Sequence, residues 1–169
     1  MTFVQFLADW LMFPLGLAAL IALWFGIDKK ARFRKYCYIL MAALTGLFVA
    51  RLGGLLPIHE TTRPFMELGI NAGASYMDNP GFPSDHTLFA FTLTFAVIFM
   101  TKWRKFGYFL LVCAMLVGVG RVLALVHTPL DVAGGIIAAG FGTLWYWMYY
   151  DSRKKLSTLV KHGKITIEK

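Results

Sequence analysis

The sequence predicts an all-α protein, a polytopic bundle of transmembrane helices with about five spans. Of the 169 residues, 58% are hydrophobic and only 15% are charged, whereas soluble domains are typically about 45–50% apolar and about 25% charged. Several apolar runs are also long enough to cross a bilayer, which takes about 20 residues in a helix. We therefore expect one membrane domain, residues 1–169, rather than a soluble protein.

Five apolar segments follow one another along the chain. The predicted spans are Trp10–Ile27, Tyr36–Leu56, Ser84–Thr101, Phe106–Val126 and Pro129–Tyr150. A long polar connection, residues 57–83, separates the second span from the third, and the short link His127-Thr128 separates the fourth from the fifth. Residues 1–9 contain no Lys or Arg, so they lack the basic region of a signal peptide.

The basic residues predict the orientation of the spans. Residues 28–35, residues 102–105 and the tail 151–169 hold five, three and six of the 17 Lys and Arg residues. Because cytoplasmic loops are enriched in Lys and Arg, we expect these segments, and with them the C-terminus, to be cytoplasmic. The N-terminus and the 57–83 connection are then extracytoplasmic. The basic tail is explained by topology and by attraction to anionic lipids, which argues against a nucleic-acid partner.

The stretch Ser84-Asp85-His86 begins the third span. Pro83 followed by Ser84 predicts a helix start with Ser84 as the N-cap residue. The free N–H groups and the positive dipole end of a helix N-terminus favour anions. We therefore expect Ser84 and Asp85 to belong to an anion-binding cradle, in which His86 is placed to transfer a proton.

Further ionisable residues are predicted at the same depth. Arg121 lies only about 8 Å below the external end of its span, and Arg63, His127 and Asp131 lie in or beside external connections. Ionisable residues within spans cost about 2.5–3.5 kcal/mol at a helix centre on the lower scale and usually face an interior or a cavity. Structural alternatives remain, because Arg121 can snorkel to the headgroups and Asp131 can complete a capping box with Thr128.

These side-chain types suit phosphoryl transfer. The guanidinium groups of Arg63 and Arg121 match phosphate oxygens in bidentate geometry. One neutral histidine can attack phosphorus while a second protonates the leaving oxygen. The i, i+4 spacing of His127 and Asp131 also allows the carboxylate to contact the imidazole and to fix its tautomer.

Three motifs resemble signatures of the type 2 phosphatidic acid phosphatase superfamily. Phe82-Pro83-Ser84-Asp85-His86 is similar to its Pro-Ser-Gly-His signature, Gly120-Arg121 through His127 to Asp131 matches the spacing of Ser-Arg-x5-His-x3-Asp, and Arg63-Pro64 resembles the end of Lys-x6-Arg-Pro. The resemblance covers about residues 51–135, the predicted catalytic core. The Pro-Ser-Asp-His form is similar to the undecaprenyl-diphosphate phosphatase branch, whose members recycle the bacterial cell-wall carrier lipid.

The resemblance implies a role for each matching residue. His127 would be the nucleophile that forms a phosphohistidine, Asp131 would orient it, and His86 would be the general acid and would then activate water. The phosphate would be held by Arg63, Arg121 and Ser84. The family needs no metal or other cofactor. We therefore expect hydrolysis of a lipid phosphate or diphosphate, above all undecaprenyl diphosphate, at the extracytoplasmic face of the cell membrane.

The sequence departs from the family pattern at several positions. Leu56 stands where the motif has Lys, so Arg51 is the nearest basic residue that can replace it. Asp85 replaces the signature Gly, and Gly120 replaces the signature Ser. Five spans are predicted where the family usually has six, and the missing span would be the first. Asp85 is expected to influence the choice of headgroup, because its negative charge lies in the anion cradle.

Three alternatives remain open from the sequence. The first is a broader phosphatase for phosphatidic acid, phosphatidylglycerol phosphate or lipid A phosphates, which would use the same residues. The second is a protein that binds or transports lipid phosphates without hydrolysing them, although binding alone would not need both His86 and His127. The third is a metal site formed by Asp85, His86, His127 and Asp131.

Overall fold

A computed structural model of the chain describes residues 2–55, 63–77 and 81–161, with side chains described up to residue 159. Within these residues every regular element is helical, as predicted: α1 (Phe3–Gln5), α2 (Met12–Gly26), α3 (Arg32–Gly53), α4 (Pro64–Glu67), α5 (Asp85–Met100), α6 (Arg104–Leu123), α7 (Pro129–Gly142) and α8 (Leu144–Lys161). A π-helical segment, Phe6–Trp10, joins α1 to α2. Leu56 and the last eight residues of the basic tail lie outside the described residues.

Three helical stretches are long and apolar enough to cross a membrane. They are Phe3–Gly26, Lys29–Gly53 and Arg104–Leu123, whereas α5 is apolar but has only 16 residues. The first stretch begins at Phe3 and not at Trp10 as predicted, because Thr2 caps its N-terminus by accepting a hydrogen bond from Gln5 N at 3.1 Å. The number of spans and their orientation stay predictions.

The segment predicted as the fifth span is divided into two helices. α7 ends at Gly142, and α8 begins at Leu144 and continues to Lys161, well into the predicted basic tail. At the junction, the Thr143 hydroxyl donates a 2.7 Å hydrogen bond to the carbonyl of Gly140. Such back-bonding competes with the helical ladder and bends helices. The hydropathy of the sequence does not change at this position, so it gives no indication that the helix is divided here.

Helix α5 lies at the centre of the bundle, in contact with α2, α3, α6 and α7. Its side chains Ala90, Val97 and Met100 are fully buried. Small residues bring the surrounding backbones close together: a Cβ atom on Gly142 would lie 2.5 Å from the carbonyl oxygen of Ala42, so α7 packs directly on α3. The packing brings the ends of α3 and α6 together with the starts of α5 and α7.

Candidate functional site

A cavity of about 500 Å³ lies where these four helix ends meet. Six of the eight residues predicted for the site line it: Arg51, Arg63, Asp85, His86, Arg121 and His127. The rest of the wall includes apolar side chains from α2, α3, α5 and the segment just before α5, namely Met12, Leu47, Phe89 and Phe82. The cavity therefore combines a cationic, histidine-containing region with an apolar flank.

His127 lies in the link between α6 and α7, and Asp131 lies in the first turn of α7. Nδ1 of His127 is 3.5 Å from Oδ2 of Asp131, which is longer than an ordinary N–H···O hydrogen bond. The same Oδ2 accepts a 2.7 Å hydrogen bond from Thr128 N, while Asp131 N donates to the Thr128 hydroxyl. The capping box is therefore present, and it holds the carboxylate beside the imidazole, so both interpretations of Asp131 apply together.

Ser84 lies behind the cavity wall and is fully buried. It is the N-cap residue of α5 as predicted, but its hydroxyl makes no hydrogen bond to the backbone of the first turn. Instead it accepts a hydrogen bond from the hydroxyl of Thr87, and Ser84 N donates to the carbonyl of Asp131 at 3.0 Å. This last bond joins the start of α5 to the start of α7, so it fixes the positions of His86 and His127 relative to each other.

Arg63 immediately precedes α4 and is buried, with an exposed fraction of 4%. Its guanidinium donates hydrogen bonds to two carbonyl oxygens, that of Val126 at 2.7 Å and that of Met77 at 2.9 Å. Val126 directly precedes His127. Arg63 therefore holds the backbone of the histidine link to Met77, which also lines the cavity, while its charge contributes to the cavity wall.

Arg121 is the most deeply buried cation of the described chain, with an exposed fraction of 1%. Its NH1 lies 2.7 Å from Oδ1 of Asp9 in the π-helical segment. Asp9 was not predicted as a site residue. The sequence does indicate that Asp9 is paired, because an acidic residue at the start of an apolar run needs a partner. The sequence alone does not identify that partner 112 positions away.

Arg51 and Asp85 form a loose pair at the edge of the cavity. Their NH2 and Oδ1 atoms lie 3.7 Å apart, and the Arg51 side chain is 63% exposed. Arg51 therefore lies near enough to act on an anion at the start of α5. Its proposed replacement of the missing motif lysine stays a prediction.

The surroundings of His127 favour the neutral imidazole. Burial lowers the pKa of His127 below its ordinary value; the Asp131 carboxylate acts in the opposite direction, and the positive charges of Arg121 and Arg63 lower the pKa further. A neutral histidine has a free lone pair for attack on phosphorus. Because Nδ1 is buried toward Asp131, Nε2 is the nitrogen available for that attack.

The carboxylates and histidines of the site are not grouped as metal ligands. Within residues 2–55, 63–77 and 81–159, no group of three or more His, Cys, Asp or Glu side chains is arranged to hold a metal ion. Asp85 is directed to Arg51 and Asp131 to Thr128 and His127. Each of these two carboxylates therefore pairs with an arginine, a histidine or a backbone N–H group.

Comparison with known proteins agrees with the motifs. The pattern of the PAP2 superfamily matches residues 35–155. The "Bacitracin transport permease protein BcrC" of Bacillus licheniformis is 32% identical over 146 residues, 85% of this chain and 69% of that protein. The "Undecaprenyl-diphosphatase BcrC" of Bacillus subtilis (strain 168) is 30% identical over 122 residues, 71% of this chain and 60% of that protein. No solved structure matches the chain significantly.

The family match includes His86, Arg121, His127 and Asp131, and it extends through α3, α5, α6 and α7, the four helices that meet at the cavity. The predicted resemblance is thereby confirmed, including its undecaprenyl-diphosphate phosphatase branch. The chain belongs to the PAP2 superfamily, and it is a hydrolase that acts on phosphate esters.

Proposed function

We propose that this protein hydrolyses undecaprenyl diphosphate to the monophosphate and inorganic phosphate through a phosphohistidine on His127. The observation that carries the proposal is the composition of the cavity: three arginines and two histidines line it beside apolar side chains. Such a site accommodates an anionic headgroup together with the start of a lipid tail. The name of the Bacillus subtilis relative supports the diphosphate as the headgroup.

In the proposed complex the terminal phosphate lies between Arg63, Arg121 and the N-terminus of α5. The two guanidinium groups and the helix N–H groups donate to its non-bridging oxygens. Phosphoryl transfer depends mainly on positioning and on stabilising charge at these oxygens. The buried cations supply both, because Arg121 is bound by Asp9 and Arg63 by two carbonyl groups.

The first chemical step forms one bond and breaks one bond. Nε2 of His127 attacks the terminal phosphorus, and the bond between that phosphorus and the bridging oxygen breaks. His86 donates a proton to the bridging oxygen, which leaves as part of undecaprenyl monophosphate. The Asp131 carboxylate stabilises the positive charge that develops on the His127 ring.

The second step removes the phosphoryl group from the enzyme. His86, now neutral, accepts a proton from a water molecule as that water attacks the phosphorus. The bond between phosphorus and Nε2 breaks, His127 returns to its neutral form, and inorganic phosphate leaves. His86 is protonated again and is ready for the next substrate. Both steps use only side chains of this chain and water.

The first test is phosphate release from undecaprenyl diphosphate by the purified protein in detergent with excess chelator. We expect multiple turnovers that do not respond to the chelator. Phosphatidic acid, phosphatidylglycerol phosphate and lipid A, assayed in parallel, measure the preference for the diphosphate. Hydrolysis of these lipids but not of undecaprenyl diphosphate would contradict the proposed substrate. Binding of the diphosphate without any hydrolysis would favour the alternative of a lipid-phosphate-binding or transport protein.

The same proposal places the cavity at the extracytoplasmic face of the cell membrane. In a chain whose Cys37 and Cys113 are replaced by serine, Leu68→Cys introduces a thiol at an exposed position after α4. Lys102→Cys introduces one in the basic loop between α5 and α6. We expect a membrane-impermeant maleimide to label Leu68→Cys but not Lys102→Cys in intact cells. The reverse pattern would invert the proposed orientation.

The lowered pKa of His127 predicts the pH dependence of the reaction. Because a lowered pKa keeps the imidazole neutral in more acidic solution, the acidic limb of kcat/KM should lie below about 6.5, the ordinary histidine value. Asp131 acts to raise this pKa, so Asp131→Asn should move the limb further toward acid and lower kcat. The substrate ionises identically in both assays. An unmoved limb would therefore show that another group controls it.

Arg51 and Asp85 are proposed to set the headgroup preference. Arg51 would bind the additional phosphate of a diphosphate, and Asp85 would partly neutralise its charge at 3.7 Å. We expect Arg51→Ala to lower the ratio of diphosphate to monophosphate turnover and Asp85→Gly to raise it, each by about threefold, because exposed ion pairs contribute little. The ratio is measured with undecaprenyl diphosphate and phosphatidic acid. An unchanged ratio in both variants would rule out this role.

A further inference from the structure

Asp9 connects three parts of the chain through one carboxylate. Its Oδ1 accepts hydrogen bonds from Arg121 NH1 at 2.7 Å and from the Ser75 hydroxyl at 2.9 Å. Its Oδ2 accepts a 2.8 Å hydrogen bond from Ser75 N. The N-terminal helical stretch, α6 and the connection before α5 therefore meet at this residue.

The position of Asp9 relative to the cavity limits what it can do. Arg121 and Ser75 line the cavity, but Asp9 is not among the described residues that line it. The carboxylate therefore contacts the guanidinium from outside the cavity wall and leaves the cavity itself free for a phosphate. Nε of Arg121 is buried and has no hydrogen-bond partner within the described residues, so the contact at NH1 is the principal restraint on the orientation of the guanidinium.

The local backbone explains how Asp9 reaches Arg121. Residues Phe6–Trp10 form a π-helical turn, with Leu11 N donating to Phe6 O at 2.9 Å. This segment packs closely on α6: a Cβ atom on Gly120 would lie 2.6 Å from Ala8 N. Because real Cβ atoms do not come so close to backbone nitrogen, Gly120 is required for the approach. The replacement of the signature serine by Gly120 and the presence of Asp9 beside Arg121 thus follow from the same packing.

We propose that Asp9 is a positioning residue of the phosphate site, which holds the Arg121 guanidinium in the orientation that binds the transferred phosphoryl group. Without the carboxylate, the guanidinium keeps its charge but loses its restraint. Ser75 would couple this restraint to the connection before α5, whose residues Tyr76 and Met77 also line the cavity. The proposal rests on the proposed function, because it assigns Arg121 to the phosphate, but it needs no particular lipid.

Orthovanadate binding tests the proposal independently of turnover. Titration calorimetry on the purified full-length protein compares wild type, Asp9→Asn, Arg121→Lys and the double variant. We expect Asp9→Asn to weaken vanadate binding about tenfold in the wild-type background, as for a lost hydrogen bond to a charged group. In the Arg121→Lys background the same Asp9→Asn substitution should weaken vanadate binding by less than about twofold, because the effects of substitutions at coupled residues are not additive. Asp28→Asn, at an exposed aspartate in the link between α2 and α3, is the matched control.

Other patterns of vanadate binding overturn the proposal. Equal weakening in both backgrounds would mean that Asp9 supports only the fold, and tighter binding in Asp9→Asn would mean that its carboxylate competes with the anion. Wild-type protein that binds vanadate with this pattern but does not hydrolyse undecaprenyl diphosphate would refute the proposed substrate and leave the role of Asp9 intact.

A second variant decides the matter if Asp9→Asn does not fold or Arg121→Lys binds no vanadate. Gly120→Ser restores the hydroxyl of the family signature and leaves both Asp9 and Arg121 in place. Since its Cβ collides with the backbone of Leu7 and Ala8, it should move Asp9 away from Arg121 and weaken vanadate binding at least about fivefold. Unchanged or tighter binding in Gly120→Ser would refute the proposal.

Discussion

Replacement of His127 by alanine should lower phosphate release from undecaprenyl diphosphate by at least about 1000-fold, since removing a nucleophile disables the whole catalytic unit. The fold should be retained, because the described structure gives Nδ1 of His127 no hydrogen bond of ordinary length. The measurement is the initial rate at saturating substrate, with the thermal unfolding midpoint of the same preparation.

The control for His127→Ala is His162→Ala, which removes a histidine from the basic tail. It should release phosphate at the wild-type rate. A substrate labelled in its terminal phosphate adds a direct observation: wild type, quenched during turnover, should carry acid-labile label on the protein, and His127→Ala should carry none. A His127→Ala variant that keeps more than a tenth of the wild-type rate would show that another group attacks phosphorus.

Arg63→Lys should lower kcat/KM by about 100-fold, the loss expected when reacting groups are misplaced by about 1 Å. The lysine keeps the positive charge, but one ammonium group cannot reproduce the planar fork that reaches Val126 O and Met77 O. The backbone before His127 would lose its anchor, and the phosphate would lose bidentate binding. Steady-state kinetics at several substrate concentrations separate the effect on kcat from that on KM.

The matched control for Arg63→Lys is Arg104→Lys at the exposed start of α6, which lies at the opposite end of the helix from Arg121. It should behave as wild type. If Arg63→Lys also keeps kcat/KM within about threefold of wild type, geometry at this position is unimportant and charge alone suffices. The argument for a fixed guanidinium fork would then fail.

Much of the fold follows from local sequence features. Long apolar runs predict the helices, and Pro83-Ser84 and Thr128-Pro129 mark the starts of α5 and α7 within one residue. Each of these signals acts over a few residues and is visible in a single stretch. The division at Thr143 is different, because a hydroxyl that bonds back to Gly140 leaves the hydropathy unchanged. The continuation of the first helical stretch back to Phe3 depends on one capping residue, Thr2.

Site residues could be predicted where their charge and their expected depth in the membrane are both visible in the sequence. Arg63, His86, Arg121 and His127 were each expected near one membrane boundary, and all four line the cavity. Contacts between distant segments were not predictable in the same way. Asp9 meets Arg121 only because α6 and the π-helical segment pack at Gly120.

The carboxylate of Asp131 caps the N-terminus of α7 and also lies beside His127, the proposed nucleophile. A substitution that strengthens one of these two contacts would therefore disturb the other. Glutamate, the usual partner in a capping box, would extend the carboxylate by one methylene and shift it relative to the imidazole, while asparagine would keep the size and remove the charge. Efforts to make the protein more heat-resistant should leave this position untouched, because thermal robustness and turnover are constrained here by the same oxygen atom, Oδ2.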